Sequence, residues 1–338
     1  MIHVSYCKGS YVHSHNLQEQ RRPSGPLSVF STMNAPIEER VPLWEDETRE
    51  TMLGLRVSSF ANESMSSAML NSSLDSVKLT AMKCNEHVVE RSDALLKTSQ
   101  ADVIVFCLLN KGTAFYYGRQ GMTNLREMDA VIYDADTPFL YGFGSSMAQY
   151  VYQIPRSEFY RMTGRQTLDE PLFFRGSQSP MLAASRRIFT STIRAFRAGK
   201  NVDPGQIEQT FMGVFEYLVG SEHQNPDAVY FTAAKEFIDE QWYWPDLAVK
   251  DVAKAVGISE RQIARVFSAN NLSIGKYISD IRLENSYKLL TIRGAEKMSI
   301  GQLAQHAGFR HASQFSRAFK RKYGITPRDA RYAASQER

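Results

Sequence analysis

A chain of 338 residues with 43% apolar side chains builds packed cores and exceeds what one ordinary core holds. Two domains are therefore expected, and wholesale disorder is excluded. The net charge of +4 conceals an asymmetry: residues 228–338 carry 18 Lys and Arg against 11 Asp and Glu, whereas residues 1–227 carry 22 against 25. A basic C-terminal domain suits a polyanion and the mildly acidic remainder does not, although a solvated basic surface gives the same count. Cys7, Cys84 and Cys107 are odd in number, far apart and without metal-ligand spacing. They are expected to be reduced thiols of a cytoplasmic protein rather than a disulfide framework. No apolar run reaches the about 18 residues that span a membrane, and the polar N-terminus lacks a signal-peptide core.

Along the chain, residues 1–45 are polar, rich in Ser and Pro and without sustained periodicity, and are expected to form a loosely ordered leader contributing at most one strand. From about 50 to 162 the pattern is β-like. Asp102–Leu109 is an apolar run followed by the turn Asn110-Lys-Gly112; Thr113–Gly118, Ala130–Tyr133, Phe139–Phe143 and Gln149–Ile154 continue a series of short strands. Their near-regular spacing predicts a small barrel or sandwich. The period then changes. Pro180–Ala198 places Leu182, Ile188, Phe189, Ile193 and Phe196 at helical intervals, and Pro204 opens a second helix with Ile207, Phe211, Val214, Phe215 and Leu218. The polar stretch Ser221–Pro226 is the expected domain boundary. Beyond it helices are expected over 228–240, 248–255, 260–269, 274–292, 299–306, 311–322 and 327–335. Ser259 with Gln262 and Ser299 with Gln302 read as capping boxes, and Thr326 caps a helix whose first residue is Pro327.

Within this last third the sequence repeats itself. Ala253, Gly257, Ile263, Arg265 and Phe267 recur as Ala304, Gly308, Phe315, Arg317 and Phe319, at offsets of 51 and then 52 residues. A small residue lets two helices approach, and a Gly four positions later accepts the positive φ of a sharp turn. The apolar pair four apart anchors the second helix, leaving the intervening Arg on the opposite side. The pattern is that of two helix-turn-helix units. Ile274–Ile292, about 28 Å long as a helix, separates them, and successive major grooves on one face of DNA lie about 34 Å apart. The pair can therefore enter adjacent grooves.

Residues 228–335 resemble the DNA-binding domain of AraC/XylS-type transcription regulators. The second half carries the signature Ile300-x-x-Leu303-Ala304, Gly308-Phe309, Ser313-x-Phe315-Ser316-Arg317-Ala318-Phe319-Lys320, then Tyr323-Gly324-Ile325-Thr326-Pro327 and Arg331. Arg282-Leu283 and Leu289-Leu290 fit the linker helix, with Ser286 standing where a small apolar Ala is commoner. By position in the motif, the first recognition helix presents Arg261, Ala264 and Arg265. The second presents Ala312, Ser313, Gln314 and Arg317, with His311 near its start. Arg bonds guanine bidentately and Gln pairs with adenine; any one of these Arg side chains can equally touch phosphate. Lys320, Arg321 and Lys322 read as phosphate neighbours or solvated charges.

The β region is similar to the cupin-like effector domains found upstream of such readers, through Asp129-Ala-Val-Ile-Tyr133-Asp134, Thr137-Pro138 and Gln153-Ile-Pro155-Arg156. The resemblance implies an α+β chain: a cupin-like β-barrel with a helical pair over 46–222, then an all-α domain of two helix-turn-helix units over 228–335. It further implies a cytoplasmic homodimer that binds a small-molecule effector, double-stranded DNA and RNA polymerase, and activates catabolic genes. Phe106, Tyr117, Tyr133 and Tyr141, with Phe139 and Tyr152, are aromatics that line such a barrel or simply pack it. A constitutive repressor with a vestigial β domain uses the same C-terminal physics. A cupin metalloenzyme needs several His and a carboxylate converging on a metal, yet residues 50–162 hold only His87, and the pair His13 and His15 has no carboxylate at fitting spacing. No catalytic residue, cofactor or metal is therefore expected. The helices at 180–198 and 204–219 are expected to mediate dimerisation, or else to pack within one protomer.

Overall fold

The computed structural model describes residues 27–60, 65–74, 76–200, 202–220, 226–291 and 298–336. Strands β1 (Leu27–Ser31), β2 (Arg56–Ser59), β3 (Ser67–Ser73), β4 (Lys78–Cys84), β5 (His87–Arg91), β6 (Val103–Lys111), β7 (Thr113–Gly118), β8 (Gly121–Arg126), β9 (Ala130–Asp134), β10 (Phe139–Phe143), β11 (Met147–Pro155) and β12 (Leu172–Phe174) are interleaved with α1 (Arg40–Thr51), α2 (Asp93–Thr98) and α3 (Arg156–Thr163). Then follow α4 (Pro180–Arg197), α5 (Pro204–Val219), α6 (Asp227–Gln241), α7 (Val249–Val256), α8 (Glu260–Ala269), α9 (Ile274–Thr291), α10 (Ile300–His306), α11 (Ala312–Tyr323) and α12 (Pro327–Gln336).

Among the described residues the strands form two antiparallel sheets, one of seven in the order β1-β3-β4-β11-β6-β9-β12 and one of five in the order β2-β5-β10-β7-β8. They face each other and do not close into one barrel, so the sandwich alternative describes the β domain better than the closed one. Val105, Cys107, Val131, Tyr133 and Val151 of the larger sheet meet Val89, Tyr116, Phe139, Tyr141 and Phe143 of the smaller in one buried cluster. The opposite face of the larger sheet is also covered. Phe106, Leu108, Ile132, Tyr150 and Tyr152 join α4 and α5 in a second cluster. Burial on both faces is why β6 reads as a continuous apolar run instead of an alternation.

The leader needs correction. Residues 1–26, including Cys7, His13 and His15, lie outside the described residues, but 27–45 are built into the domain as β1 and the start of α1. Trp44 is buried and its ring lies 6.1 Å from Phe30. The charged α1 sequence hides a helix that needs only Val41, Trp44 and Thr48 on one face. Helix bounds from α4 onward fall within a residue or two of those expected. The boundary segment itself, apart from Pro226, lies outside the described residues. The core does not stop there: Val229, Tyr230, Ala233 and Ile238 of α6 belong to the same buried cluster as Phe189 of α4 and Phe215 of α5.

The polar residues behind the cupin-like resemblance act as staples. Asp129 accepts from the amides of Arg126 and Gly176 and pairs with Arg175 at 2.7 Å. Arg156 forks onto Asp134 at 2.9 and 2.7 Å and reaches Asp136 at 2.8 Å. Beside it Arg91, fully buried, donates to the carbonyls of Ala135, Gly54 and Ser99 and to Asp136. Burial alone would raise the Asp136 carboxyl, but the amides of Ala101 and Asp102, with Arg156 and Arg91, outweigh it and hold it down to about 2.

Asp136→Ala strands a buried guanidinium and is expected to destabilise by about 3 kcal/mol in urea unfolding at neutral pH. A carboxyl whose folded pKa is depressed contributes fully above its unfolded value of about 4. The gap between wild type and variant should therefore hold above about pH 4 and narrow as pH falls towards about 2.

Candidate nucleic-acid interface

Each predicted helix-turn-helix forms as the repeat requires. In the first unit Asp251 caps α7 by accepting the Ala248 amide at 2.9 Å, and Gly257 ends it at φ 85°. A Cβ on Gly257 would press within 3.2 Å of Pro180, so this turn abuts the start of α4. Ser259 caps α8 through the Gln262 amide. Ile263, Val266 and Phe267 turn inward, and Phe267 packs between Phe231 and Tyr277 with centroids 5.1 and 5.8 Å away. That anchoring leaves Arg261, Ala264 and Arg265 exposed on the other side of α8.

In the second unit Ser299 and Gln302 complete a full capping box. Phe315 and Phe319 are buried and touch Phe309 and Tyr323. His311, Ala312, Ser313, Gln314, Arg317 and Lys320 are all exposed. The offset of 52 superimposes the faces: Arg261 corresponds to Ser313, Arg265 to Arg317, and Ser268 to Lys320. Each α-helix thus shows one polar stripe above an aromatic anchor.

The faces differ in one respect. Arg265 is held by Asp227 at the start of α6, 2.8 Å away, whereas Arg317 makes no ion pair among the described residues. The two partners of the first pair lie 38 positions apart, so nothing in the local pattern announces the contact.

The linker helix serves both units. Its Ile274 and Ile278 enter the first core, and Leu283 and Leu290 the second. Ser286 is buried and its hydroxyl donates to the Arg282 carbonyl at 2.6 Å, which satisfies the group that replaces the commoner Ala. Arg282 was legible as part of the linker motif, but its role comes from the packing. Its guanidinium donates to the carbonyls of Trp242 and Trp244 at 2.9 and 2.6 Å, lies 6.0 Å from the Phe309 ring, and covers Gly308. One side chain therefore fastens the loop of the first unit to the turn of the second. Arg310 adds a pair to Asp246 at 2.6 Å, and Lys322 ties α11 to Glu284 of the linker at 2.9 Å.

The four aromatics singled out in the β domain do not converge. Tyr133 and Tyr141 lie between the sheets with Tyr116, Phe139 and Phe143. Phe106 is on the other face of β6, against Phe189 and Phe215, and Tyr117 points outward, half exposed. Tyr116, which contacts Tyr133, Phe139 and Tyr141 at 5.4 to 5.8 Å, was passed over because β7 alternates and its neighbour Tyr117 is equally aromatic. Desolvation pushes Tyr133 and Tyr141 well up, and the Cys107 thiol to about 12. His87 is buried, stacked on Phe143 at 4.9 Å, and its Nδ1–H donates to the Asn85 carbonyl at 2.7 Å. No group of three His, Cys, Asp or Glu able to hold a metal occurs among the described residues, and no helix among them is long and apolar enough to cross a membrane.

A family profile described as a helix-turn-helix domain matches residues 252–333. This region is a helix-turn-helix domain. The chain is 35% identical over 88 residues to the transcriptional activator RhrA of Rhizobium meliloti, covering 26% of this chain and 28% of that protein. It is 21% identical over 268 residues to the transcriptional activator NphR of a Rhodococcus species, covering 74% and 76% of the two. The crystal structure of the AraC-like transcriptional activator CuxR aligns at 15% identity with a TM-score of 0.46, over 77% of this chain and 95% of that one.

Gly308 and Gly324 have nearly the same φ, 75° and 76°, but a Cβ on Gly308 would sit 2.9 Å from Arg282 Nε whereas one on Gly324 meets nothing. Gly324→Ala is expected to lose about 1–2 kcal/mol for left-handed backbone alone. Gly308→Ala should lose measurably more in the same urea titration, the excess reporting displacement of Arg282.

Proposed function

We propose that this chain is an AraC-type, sequence-specific transcription activator of catabolic genes that responds to a small-molecule effector. One protomer places α8 and α11 in two adjacent major grooves, and the observation that carries this is the pair of exposed stripes joined by one continuous α9 and the Arg282 fastening. Arg265 and Arg317 are assigned to base edges, with Arg261, Ala264, Ala312, Ser313 and Gln314 beside them. Lys320 and His311 are assigned to the flanking backbone. Arg265 must exchange Asp227 for its base, and since it is largely exposed that exchange is inexpensive.

The effector is assigned to the space between the sheets. Tyr141 Oη, Gln149 Oε1 and Gln153 Oε1 are buried there without a hydrogen-bond partner, and Gln149 shares its face of β11 with Met147 and Val151 of the inter-sheet cluster. Buried polar groups ordinarily find partners, so a bound molecule with both donor and acceptor groups accounts for these. Phe106 and Tyr117 take no part in this assignment. The protein works in the cytoplasm, as a homodimer that contacts RNA polymerase. With α4 enclosed on two sides, α5 is the member of the helix pair that has an outward face for dimerisation. Because the core runs across the domain boundary, the mass should be measured on the whole chain. Light scattering is expected to give about twice 38.4 kDa.

Selection of duplexes from a random pool by the full-length protein at fixed moderate salt should enrich two short motifs about one helical turn apart. On the enriched duplex, Arg265→Ala and Arg317→Ala should each lose about 1–3 kcal/mol and relax specificity at one position. Lys320→Ala should weaken all sequences alike and lower the salt slope by about one. The reverse pattern would overturn these roles.

A further inference from the structure

A second binding site lies outside the β sandwich. A cleft of about 680 Å³ opens where the β8–β9 turn, α4 and the first reader unit meet, a size ordinarily suited to a small organic ligand. Its β wall is stiff. Met128 holds φ 74°, Gly176 lies so near that a Cβ would come within 2.5 Å of Met128, and Asp129 fixes the Gly176 amide at 3.0 Å. Strained backbone of this kind persists where the surroundings over-determine it, and it gathers at ligand sites.

The cleft is electropositive. Arg186, Arg187 and Lys254 line it. Neither Arg186 nor Lys254 makes an ion pair among the described residues. Arg187 lies 4.6 Å over the Phe237 ring and reaches one oxygen of Glu240 only at 3.5 Å, while Arg194 holds the other. Its Nε is buried with no acceptor. Two acids also line it, Asp251, which caps α7, and Glu127 at the rim, so the three cations outnumber the carboxylates by one. Phe237, Met128 and the partly exposed Trp244 supply apolar wall.

We infer that this cleft binds a small organic carboxylate with a flat apolar body, the carboxylate among Arg186, Arg187 and Lys254 and the body against Phe237 and Trp244. Arginine is suited to carboxylate by its planar fork, and the aromatic walls favour a flat partner over a bare ion. Such a ligand touches the β domain, α4 and α7 together. It therefore favours the arrangement of reader and β domain in which the cleft is formed over any in which they part. The site is separate from the inter-sheet space and does not depend on the regulator reading.

The test is calorimetric titration of the full-length protein, without DNA, with phenylacetate, phenylacetamide and sulfate as probes. Phenylacetate is expected to bind saturably at one per chain, with the amide and sulfate each roughly tenfold or more weaker. Arg186→Gln and Lys254→Gln, on accessible positions, should each weaken phenylacetate at least about threefold with unchanged melting temperature. Lys250→Gln, outside the cleft, should not. Trp244→Phe should remove the fluorescence change on binding. Absence of saturable phenylacetate binding, equal binding of acid and amide, sulfate as tight as phenylacetate, or indifference to both substitutions would each overturn the proposal. With no DNA present, such a failure leaves the regulator reading standing, and failure of the DNA selection leaves this one standing.

Discussion

Helix α4 is packed on two sides, and the arrangement of the whole chain follows from that. Towards the β domain its Phe189 stacks on Tyr150 at 5.1 Å and meets Phe211 of α5 at 4.3 Å, with Phe106 behind. Towards the reader, α4 faces α6 and α7, where Arg187 and Arg194 share Glu240 and Pro180 meets the Gly257 turn. Apolar burial scales with area and has no preferred direction, so it is these ring contacts and ion pairs that fix the orientation. The sheet and the first recognition helix are set by a single rod between them, and a change at one end has a short, contiguous route to the other.

The two reader units are therefore unequal despite their common sequence pattern. The first shares a core with the β domain through Val252, Val256, Ile263 and Phe267. The second has a core of its own, built on Leu303, Phe315 and Phe319 around Leu283 and Leu290. Its attachment runs through α9, Arg282 and a few exposed pairs. Stability within a protein is distributed by such packing, and the second unit is the part that can loosen while the rest stays closed.

The helical half was legible because its helices carry 3.6-residue periodicity together with caps: Ser259, Ser299, Thr326 and Pro327 mark starts, and Gly257 and Gly324 mark ends. The outward direction of Arg265 was legible for the same reason, since Ile263 and Phe267 on the same helix are buried. The β half was less so. β3 is Ser-Ala-Met-Leu-Asn-Ser-Ser, whose alternation is faint, and β6 and β11 are apolar on both faces, which hides the face each residue takes. That ambiguity is why Phe106 reads as a pocket aromatic although it faces the helices, whereas on β7 the choice lies between the adjacent Tyr116 and Tyr117. Contacts between distant positions, such as Arg265 with Asp227 and Arg282 with Trp242, have no local signature at all. They exist only once the helices pack.

The linker helix also works as a lever. Its 18 residues make a rod about 27 Å long, rooted by Ile274 and Ile278 in the first unit's core and carrying the second unit at its far end. A tilt of about 10° at the root displaces the tip by about 5 Å, more than the about 3.4 Å between successive base pairs. A rotation too small to disturb a single ring contact around Phe267 is thus enough to move the second recognition helix by a whole step along the groove. The Arg282 guanidinium, bonded to the loop after α6 and packed against the Gly308 turn, stands where such a rotation is resisted.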